Sequence, residues 1–213
     1  VHEIKAPITG VSLICENHKN EITRQIWTQN RKIENYVDMA LYYARADHVY
    51  KDYMIRKTDL SDIVTSVLSR NKYFLIQNDV QAEVHCNHSV YTDEKWIAFI
   101  VNQLILNSVK YKNGEGEKLF IRTEEKKEGV WLTLQDDGMG IKKEELPRVF
   151  EKGFTGSNGR QTGSATGMGL YLCRELCEKL GIEIAVFSEE YKGTEMVLKF
   201  PVGKYYAREE GMS

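Results

Sequence analysis

The sequence predicts an α+β protein in which a helical hairpin precedes a domain with a mixed sheet and helices on one face. Apolar residues recur with a seven-residue repeat over the first 47 positions. Beyond residue 59, stretches with helical periodicity are interspersed with stretches that alternate like strands. We therefore expect a hairpin over 1–47, a linker over 48–58, a domain over 59–205 and a tail over 206–213.

Two apolar series define the predicted hairpin. The first series is Ile4, Ile8, Val11, Cys15 and His18, and the second is Ile22, Ile26, Asn30, Ile33, Val37, Ala40 and Ala44. The polar stretch 17–20 between them predicts a turn. Two such helices cannot bury their stripes alone, which favours an antiparallel hairpin that dimerises into a four-helix bundle. Packing of the hairpin on the chain's own second domain is the alternative. Because the helical pattern starts abruptly, we expect helix 1 to be truncated.

The second domain alternates helices and strands along the chain. Helices are predicted over 60–77, 93–112 and 167–181, the first capped by Thr58 or Asp59 and the last ending at Gly181. Strands are predicted over 80–86, 118–126, 129–137, 182–188 and 194–200, the second and third forming a hairpin. Residues 152–166 are rich in Gly, Ser and Thr without apolar periodicity, which predicts a mobile loop.

Composition narrows the class of protein. The chain has 213 residues, 42% of them hydrophobic, with 29 Lys and Arg against 31 Asp and Glu, a net charge of −2. This balance predicts no nucleic-acid partner. No apolar run reaches the length of roughly 18 residues that a membrane span needs. Cys173 and Cys177 lie four apart on a predicted helix, which indicates buried thiols in a reducing compartment.

The stretch LQDDGMGI combines a carboxylate with two glycines. Asp136 ends a predicted strand, and Gly138 and Gly140 follow it in the pattern D-x-G-x-G. Glycines let a backbone turn tightly against a flat ligand, and the carboxylate could accept a hydrogen bond from an exocyclic amine. A simple tight turn between two elements would use the same residue types.

Two further stretches suit a phosphate-bearing ligand. In TGSATGMGL, glycines open a predicted helix, whose free N–H groups form a phosphate cradle; these are Gly163, Gly167 and Gly169. In NQLILNSVKY, Asn107, Lys110 and Tyr111 share roughly one helix face. An amide oxygen can ligate Mg²⁺ and an ammonium can contact phosphate. The alternative for this stretch is a solvated helix end.

Taken in order, these stretches resemble the ATP-binding domain of bacterial sensor histidine kinases, within the GHKL ATPase superfamily. VHEIKAPITG resembles their phospho-acceptor box, NQLILNSVKY the N box and DDGMG the first glycine box. FEKGF resembles the aromatic box, TGMGL the second glycine box and KGTEM the final Gly-Thr. The resemblance covers nearly the whole chain and implies a GHKL-type α/β sandwich that binds ATP and Mg²⁺.

The resemblance also implies residue roles. Asp136 would bind the adenine amino group near Thr194, Asn107 would ligate Mg²⁺, and residues 152–166 would form the ATP lid. The remaining nucleotide contacts would come from Lys110, Tyr111, Gly138, Gly140, Arg160, Gly167, Gly169 and Leu170, with Phe150 and Phe154 anchoring the lid.

In the acceptor box, His2 would be the nucleophile that receives the γ-phosphoryl group. Glu3 would hold the other ring N–H, and Pro7 would bend the helix, because it leaves the carbonyl of Glu3 without its helical partner. Two positions depart from the family pattern. Ala6 replaces a residue that is often Thr or Asn, and Gln103 replaces the first N-box Asn.

The function implied is autophosphorylation followed by transfer to an Asp of a response regulator, in a homodimer. The lid run EKGFTGSNGR and ATGMGLYL resemble intramembrane-sensing kinases of the bacitracin-response kind, which work beside an ABC transporter. That implies the cytoplasmic part of a membrane-anchored protein. The alternatives are an ATPase of the chaperone, topoisomerase or mismatch-repair type, and a dimeric scaffold that binds nucleotide without turnover.

Overall fold

The computed structural model describes residues 2–18, 20–46, 54–114, 116–162 and 165–202. The side chains of His2 and of residues 45, 46 and 160–162 lie outside that description. The chain divides into two compact units, Val1–Lys51 and Asp52–Ser213. The predicted tail at 206–213 and most of the predicted linker lie outside the described residues.

The first unit is a pair of antiparallel helices, α1 (His2–Asn17) and α2 (Glu21–Ala46). The start of α2 is capped reciprocally, because Asn20 Oδ1 accepts from the N–H of Thr23 while Thr23 Oγ1 accepts from the N–H of Asn20. Lys5 Nζ lies 2.5 Å from Asp38 Oδ1, which pairs the start of α1 with the second half of α2. The predicted hairpin with a turn near 17–20 is confirmed.

The seam between α1 and α2 differs from the predicted series. Trp27 and Met39, which that series omits, are buried, whereas Ile22, Ile26 and Ile33 are 71%, 47% and 51% exposed. The exposure of these three isoleucines agrees with the expectation that the two helices cannot bury their apolar stripes alone. The apolar stripe that they form along α2 faces away from α1 and is left for another surface.

Asn30 is the polar residue that the α1–α2 seam does bury, with 5% of its surface exposed. Its Nδ2 donates to the carbonyl of Ile8 at 2.7 Å and to Ser12 Oγ at 2.9 Å. These bonds fix the register of the two helices, because a shift along the axis would leave a buried amide unpaired.

The second unit is a five-stranded mixed sheet in the order β2-β4-β5-β7-β6. Its strands are β2 (Val80–His85), β4 (Glu117–Lys126), β5 (Gly129–Asp136), β6 (Glu183–Glu189) and β7 (Gly193–Pro201). Strands β2 and β4 are parallel and the other neighbours are antiparallel, so the predicted mixed sheet and its β4–β5 hairpin are confirmed. A separate two-stranded sheet pairs β1 (Arg56–Asp59) with β3 (Ser89–Thr92), and β1 begins inside the segment predicted as a linker.

Three helices cover one face of the five-stranded sheet: α3 (Leu60–Gln77), α4 (Glu94–Lys110) and α6 (Gly169–Lys179). Helix α4 packs between α3 and α6, so both of its sides are buried. Asp59 caps α3 by accepting from the N–H of Ser61, and Asp93 caps α4 by accepting from the N–H of Trp96. The predicted arrangement of helices on one face is confirmed.

The segment between β5 and α6 holds more regular structure than the sequence predicts. A 3₁₀ helix occupies Leu146–Arg148, and a short helix, α5, occupies Ser157–Thr162. The prediction of a loop without regular structure over 152–166 is therefore wrong at α5, and residues 163–164 lie outside the described part. Across the described ranges, no helix combines the length and apolarity that crossing a bilayer would require.

Replacing Asn30 with Ala should destabilise the hairpin by roughly 1–3 kcal/mol, because the Ile8 carbonyl and Ser12 lose a buried donor. Hydrogen exchange in α1 and α2 would measure the change. Gln29→Ala, at the adjacent exposed position, is the matched control. Equal exchange rates in the two variants would contradict the role given to Asn30.

Candidate nucleotide-binding site

The carboxylate of Asp136 joins three elements at one end of the sheet. Its Oδ1 accepts hydrogen bonds from the N–H of Gly138 at 3.1 Å and of Thr194 at 3.0 Å. Its Oδ2 accepts from Ser108 Oγ on α4 at 3.0 Å. Strand pairing sets the contact with Thr194, which lies opposite Asp136 in the β5–β7 register.

The electrostatics of Asp136 follow from this position. Burial raises the pKa of its carboxyl, while the hydrogen bonds from Gly138, Ser108 and Thr194 act in the opposite direction. The three donors stabilise the charged form and also fix the plane of the carboxylate. The site thus presents an oriented acceptor beside the glycine turn.

The glycine turn after Asp136 requires residues without a side chain. A Cβ on Gly138 would lie 2.6 Å from the carbonyl oxygen of Tyr111, and one on Gly140 would lie 2.0 Å from the carbonyl oxygen of Glu189. Gly140 also has a φ of +63°, which favours glycine. The Met139 N–H donates to the Tyr111 carbonyl at 2.8 Å, so the turn is fastened to the end of α4.

The three N-box candidates lie at the C-terminal end of α4. Asn107 is half-buried and its carbonyl accepts from the N–H of Tyr111 at 3.0 Å. Lys110 Nζ lies 5.4 Å from the centroid of the Tyr111 ring. Tyr111 is the C-cap residue and not part of the helix, so the predicted shared helix face holds for Asn107 and Lys110 only. Burial raises the pKa of the Tyr111 hydroxyl.

The second glycine stretch brings the start of α6 beside α4. Gly169 begins α6, and a Cβ there would lie 3.1 Å from Gln103 Oε1. Met168, at the N-cap, makes no side-chain hydrogen bond to the helix. Gly167 has a φ of +66° and packs against the backbone of Gly153, whose N–H donates to the Gly167 carbonyl at 3.0 Å. Leu170 follows in the first turn and is half-buried.

The predicted lid contacts the same region through α5. Asn158 Nδ2 donates to the carbonyl of Gly140 at 3.3 Å, and a Cβ on Gly159 would lie 3.1 Å from Tyr111 Oη. The guanidinium of Arg148 lies 4.5 Å from the centroid of the Phe154 ring. Phe150 is half-buried. The side chain of Arg160 and the whole of Gly163 lie outside the described residues.

The sequence interpretation missed three residues at this site. Ser108 bonds to Asp136, Glu145 bonds to the start of α5 and Glu117 lies beside Gly138. Ser108 directly follows Asn107 in the quoted N-box stretch, so its position was a signal. Neither glutamate lies in a motif, and only the folded chain brings them to the site.

Glu117 is a buried acid with one unpaired oxygen. It is 4% exposed, its Oε2 accepts from the N–H of Asn113 at 3.0 Å, and its Oε1 is buried with no hydrogen-bond partner among the described residues. Burial, followed by the charges of Asp136 and Asp137, raises the pKa of Glu117 to about 7, although the Asn113 N–H and Lys112 act against the rise. Near neutral pH this side chain is therefore partly protonated.

The two residues of the predicted acceptor box, His2 and Glu3, belong to the first unit. Both lie in the first turn of α1, where Glu3 is exposed and the side chain of His2 is outside the described part. The structure thus gathers the predicted nucleotide contacts within the second unit and leaves the acceptor box on the other unit.

Comparison with known proteins gives the family. The profile of the histidine kinase-, DNA gyrase B- and HSP90-like ATPases matches residues 92–204, more than half of the chain. The chain belongs to this family. The matched region begins at the end of β3 and includes every predicted nucleotide contact from the N box to the final Gly-Thr.

Two curated relatives extend the similarity over the helical hairpin. The sensor histidine kinase YxdK of Bacillus subtilis is 32% identical over 94% of this chain and 62% of its own length. The sensor protein BceS of Halalkalibacterium halodurans is 35% identical over 100% of this chain and 64% of its own length. The chain therefore spans just under two thirds of these relatives. The predicted resemblance to bacterial sensor histidine kinases and their bacitracin-response-like subgroup is confirmed.

A solved structure supports the fold. The histidine kinase AdeS of Acinetobacter baumannii superposes with a TM-score of 0.66 and 20% sequence identity, covering 96% of this chain and 99% of that chain. The predicted order of a helical hairpin and a GHKL-type sandwich is confirmed.

The donor set fits ATP. An oriented, half-buried carboxylate suits a purine amino group. The start of α6 lacks a side-chain cap, which suits phosphate oxygens that accept from helix N–H groups.

Glu117→Gln should change the pH dependence of stability. The folded pKa is about 7 against an ordinary value of 4.5, so the stabilisation by the protonated acid is complete below about pH 4.5 and is lost as the pH rises through 7. Gln stays neutral and can still accept from the Asn113 N–H. Between about pH 5 and pH 8.5, the free energy of unfolding of the variant should therefore rise relative to that of the wild type by up to about 3 kcal/mol.

Urea unfolding at the two pH values measures this difference. Glu125→Gln, at an exposed position of the same strand, is the control. A Glu117→Gln stability curve that runs parallel to that of the wild type would show that Glu117 is ionised in the folded protein throughout.

Proposed function

We propose that this chain binds ATP with Mg²⁺, transfers the γ-phosphoryl group to His2 and then passes it to an aspartate of a response regulator. The observation that carries the proposal is the oriented, half-buried carboxylate of Asp136, in a member of this ATPase family whose α1 begins with the predicted acceptor box. Two sensor kinases are 32% and 35% identical to nearly the whole chain, which supports the combination of an ATP-binding domain with a helix that carries the acceptor histidine.

Adenine recognition rests on Asp136. Ser108, Gly138 and Thr194 hold its carboxylate, and the remaining acceptor capacity of that carboxylate receives the exocyclic amino group of adenine. A guanine would present a carbonyl oxygen at the same place and would meet a carboxylate with no proton to share.

Phosphate and metal binding rest on α4 and α6. Asn107 would supply an amide oxygen to Mg²⁺, and the bound ion would neutralise charge on the phosphates. Lys110 places an ammonium beside them, and the N–H groups at Gly169 and Leu170 point to the phosphate oxygens. Arg160 supplies a lid contact. These residues bind and orient the triphosphate and leave the chemistry to the acceptor.

His2 acts as the nucleophile. A ring nitrogen of the neutral imidazole forms a bond to the γ-phosphorus as the bond from that phosphorus to the β–γ bridging oxygen breaks, and ADP leaves. Glu3 accepts a hydrogen bond from the other ring N–H, fixes the tautomer and stabilises the positive charge that develops on the ring. The phosphoryl group then passes to a regulator carboxylate, which restores the free imidazole.

The exposed stripe on α2 supports a homodimer. Ile22, Ile26 and Ile33 lie at four- and seven-residue spacings and face away from α1. A second copy could cover this stripe with its own and complete a four-helix bundle. In the full-length protein, the subgroup resemblance supports a membrane anchor, a cytoplasmic position for this part and an ABC transporter as partner.

His2→Gln should abolish transfer of label from γ-labelled ATP to the protein, while nucleotide binding persists, because His2 lies outside the ATP-binding unit. The label on the wild type should be acid-labile and base-stable. His18→Gln, an exposed histidine of the same hairpin, is the matched control. Equal labelling of the His2 variant would identify another acceptor, and ATP consumption without label would favour an ATPase.

Asp136→Asn should weaken ATP binding by roughly 10- to 100-fold and reduce discrimination against GTP, because the acceptor for the adenine amino group loses its charge. Calorimetry with a non-hydrolysable ATP analogue and its guanine counterpart measures both effects. Asp137→Asn is the control, because Asp137 is exposed and it is Asp136 that accepts the hydrogen bond from Ser108. Unchanged affinity in the Asp136 variant would remove the adenine assignment.

A further inference from the structure

We propose that Glu145 is a positioning residue that fastens the start of α5 beside the nucleotide site and so sets how long a nucleotide stays bound. The proposal rests on the proposed function, because it assigns Glu145 to the ATP site. Glu145 lies between the first glycine box and the aromatic box, outside every motif of the sequence.

The contact joins two segments that are 12 residues apart. Glu145 Oε1 accepts from the backbone N–H of Ser157 at 2.7 Å, and Oε2 lies 3.4 Å from Ser157 Oγ. Ser157 is the first residue of α5. A charged acceptor strengthens a hydrogen bond from a backbone N–H, so this is a strong local link between the two segments.

Gly156 makes room for that link. A Cβ at position 156 would lie 2.7 Å from Glu145 Oε2 and 3.2 Å from its Cδ. Any side chain there would push the carboxylate away from Ser157. A side chain at 156 and the present position of the Glu145 carboxylate are therefore incompatible.

The backbone that carries Glu145 is itself fixed. The Glu145 N–H donates to the carbonyl of Lys142 at 2.9 Å, and the Glu145 carbonyl accepts from the N–H of Arg148 at 3.0 Å. The 3₁₀ helix that follows packs against β6, and Val149 after it is buried. Glu145 therefore projects from a part of the fold that belongs to the sheet and not to the lid.

The other end of the link reaches the nucleotide site. Asn158 donates to the Gly140 carbonyl, and Gly159 lies against the Tyr111 hydroxyl. Both contacts follow Ser157 by one or two residues, so the Glu145 bond determines whether α5 can make them. With the bond intact, α5 lies along the edge of the first glycine box and covers a nucleotide bound there.

Three variants of the full chain separate this role from a general loss of structure. Glu145→Ala removes the acceptor, Glu145→Gln keeps an oxygen that can accept from Ser157, and Gly156→Ala displaces the carboxylate. Glu144→Ala removes the same charge from the adjacent exposed position and is the control.

The first readout is hydrogen exchange of α5 in nucleotide-free protein. We expect faster exchange in Glu145→Ala and Gly156→Ala, near wild-type exchange in Glu145→Gln, and no change in Glu144→Ala. In the Glu145→Ala background, Gly156→Ala should add nothing, because the two changes break one contact. Unchanged exchange in Glu145→Ala, or full additivity of the two changes, overturns the proposal.

The second readout is stopped-flow binding of a fluorescent ADP analogue with Mg²⁺. Glu145→Ala should release the analogue about fivefold faster with little change in association rate, and Glu145→Gln should release it near the wild-type rate. Altered exchange with an unchanged release rate overturns the effect on nucleotide. A wild-type protein that binds no nucleotide overturns the proposed function and this effect with it, while the exchange data still report the Glu145 contact.

Discussion

The nucleotide-site end of the second unit depends on one half-buried carboxylate. Asp136 ends the central strand of the sheet and accepts from α4 through Ser108, from β7 through Thr194 and from its own turn through Gly138. Removing a carboxylate from water is costly unless donors surround it, so α4, β7 and the glycine turn must each bring a donor to this point. The hydrogen bonds that hold these elements together at Asp136 also orient its carboxylate as an acceptor for a ligand.

The glycines that follow Asp136 allow other backbone segments to pack closely against the turn. Gly138 lies against the end of α4 and Gly140 against the end of β6, at distances that exclude a Cβ. Tyr111 links these contacts, since its carbonyl accepts from the turn while its hydroxyl lies beside α5. The ends of α4, β5 and β6 therefore meet at this site, and backbone groups make many of the contacts between them. Glu117 lies beside Gly138, where burial raises its pKa to about 7.

The helical hairpin, in contrast, leaves much of its apolar surface exposed. Its own seam is fixed by Asn30, whose amide must find partners once it is buried. The larger apolar surface along α2 stays exposed in the single chain. Helices that leave this much apolar surface uncovered gain most by association, which is why a second copy is the natural cover in the function that we propose.

The sequence by itself determined which segments form helices and which form strands, and that the strands make a mixed sheet, because hydrophobic spacing is a property of the linear chain. It also located the predicted binding motifs around Asp136, Asn107 and Gly167, because each motif is a short local run of residues. Tertiary structure alone decided which α2 residues line the seam, since two stripes of similar hydrophobicity compete for one surface. It also decided the positions of Glu117 and Glu145, because a glutamate in no motif acquires its burial and its hydrogen-bond partner only when distant segments meet.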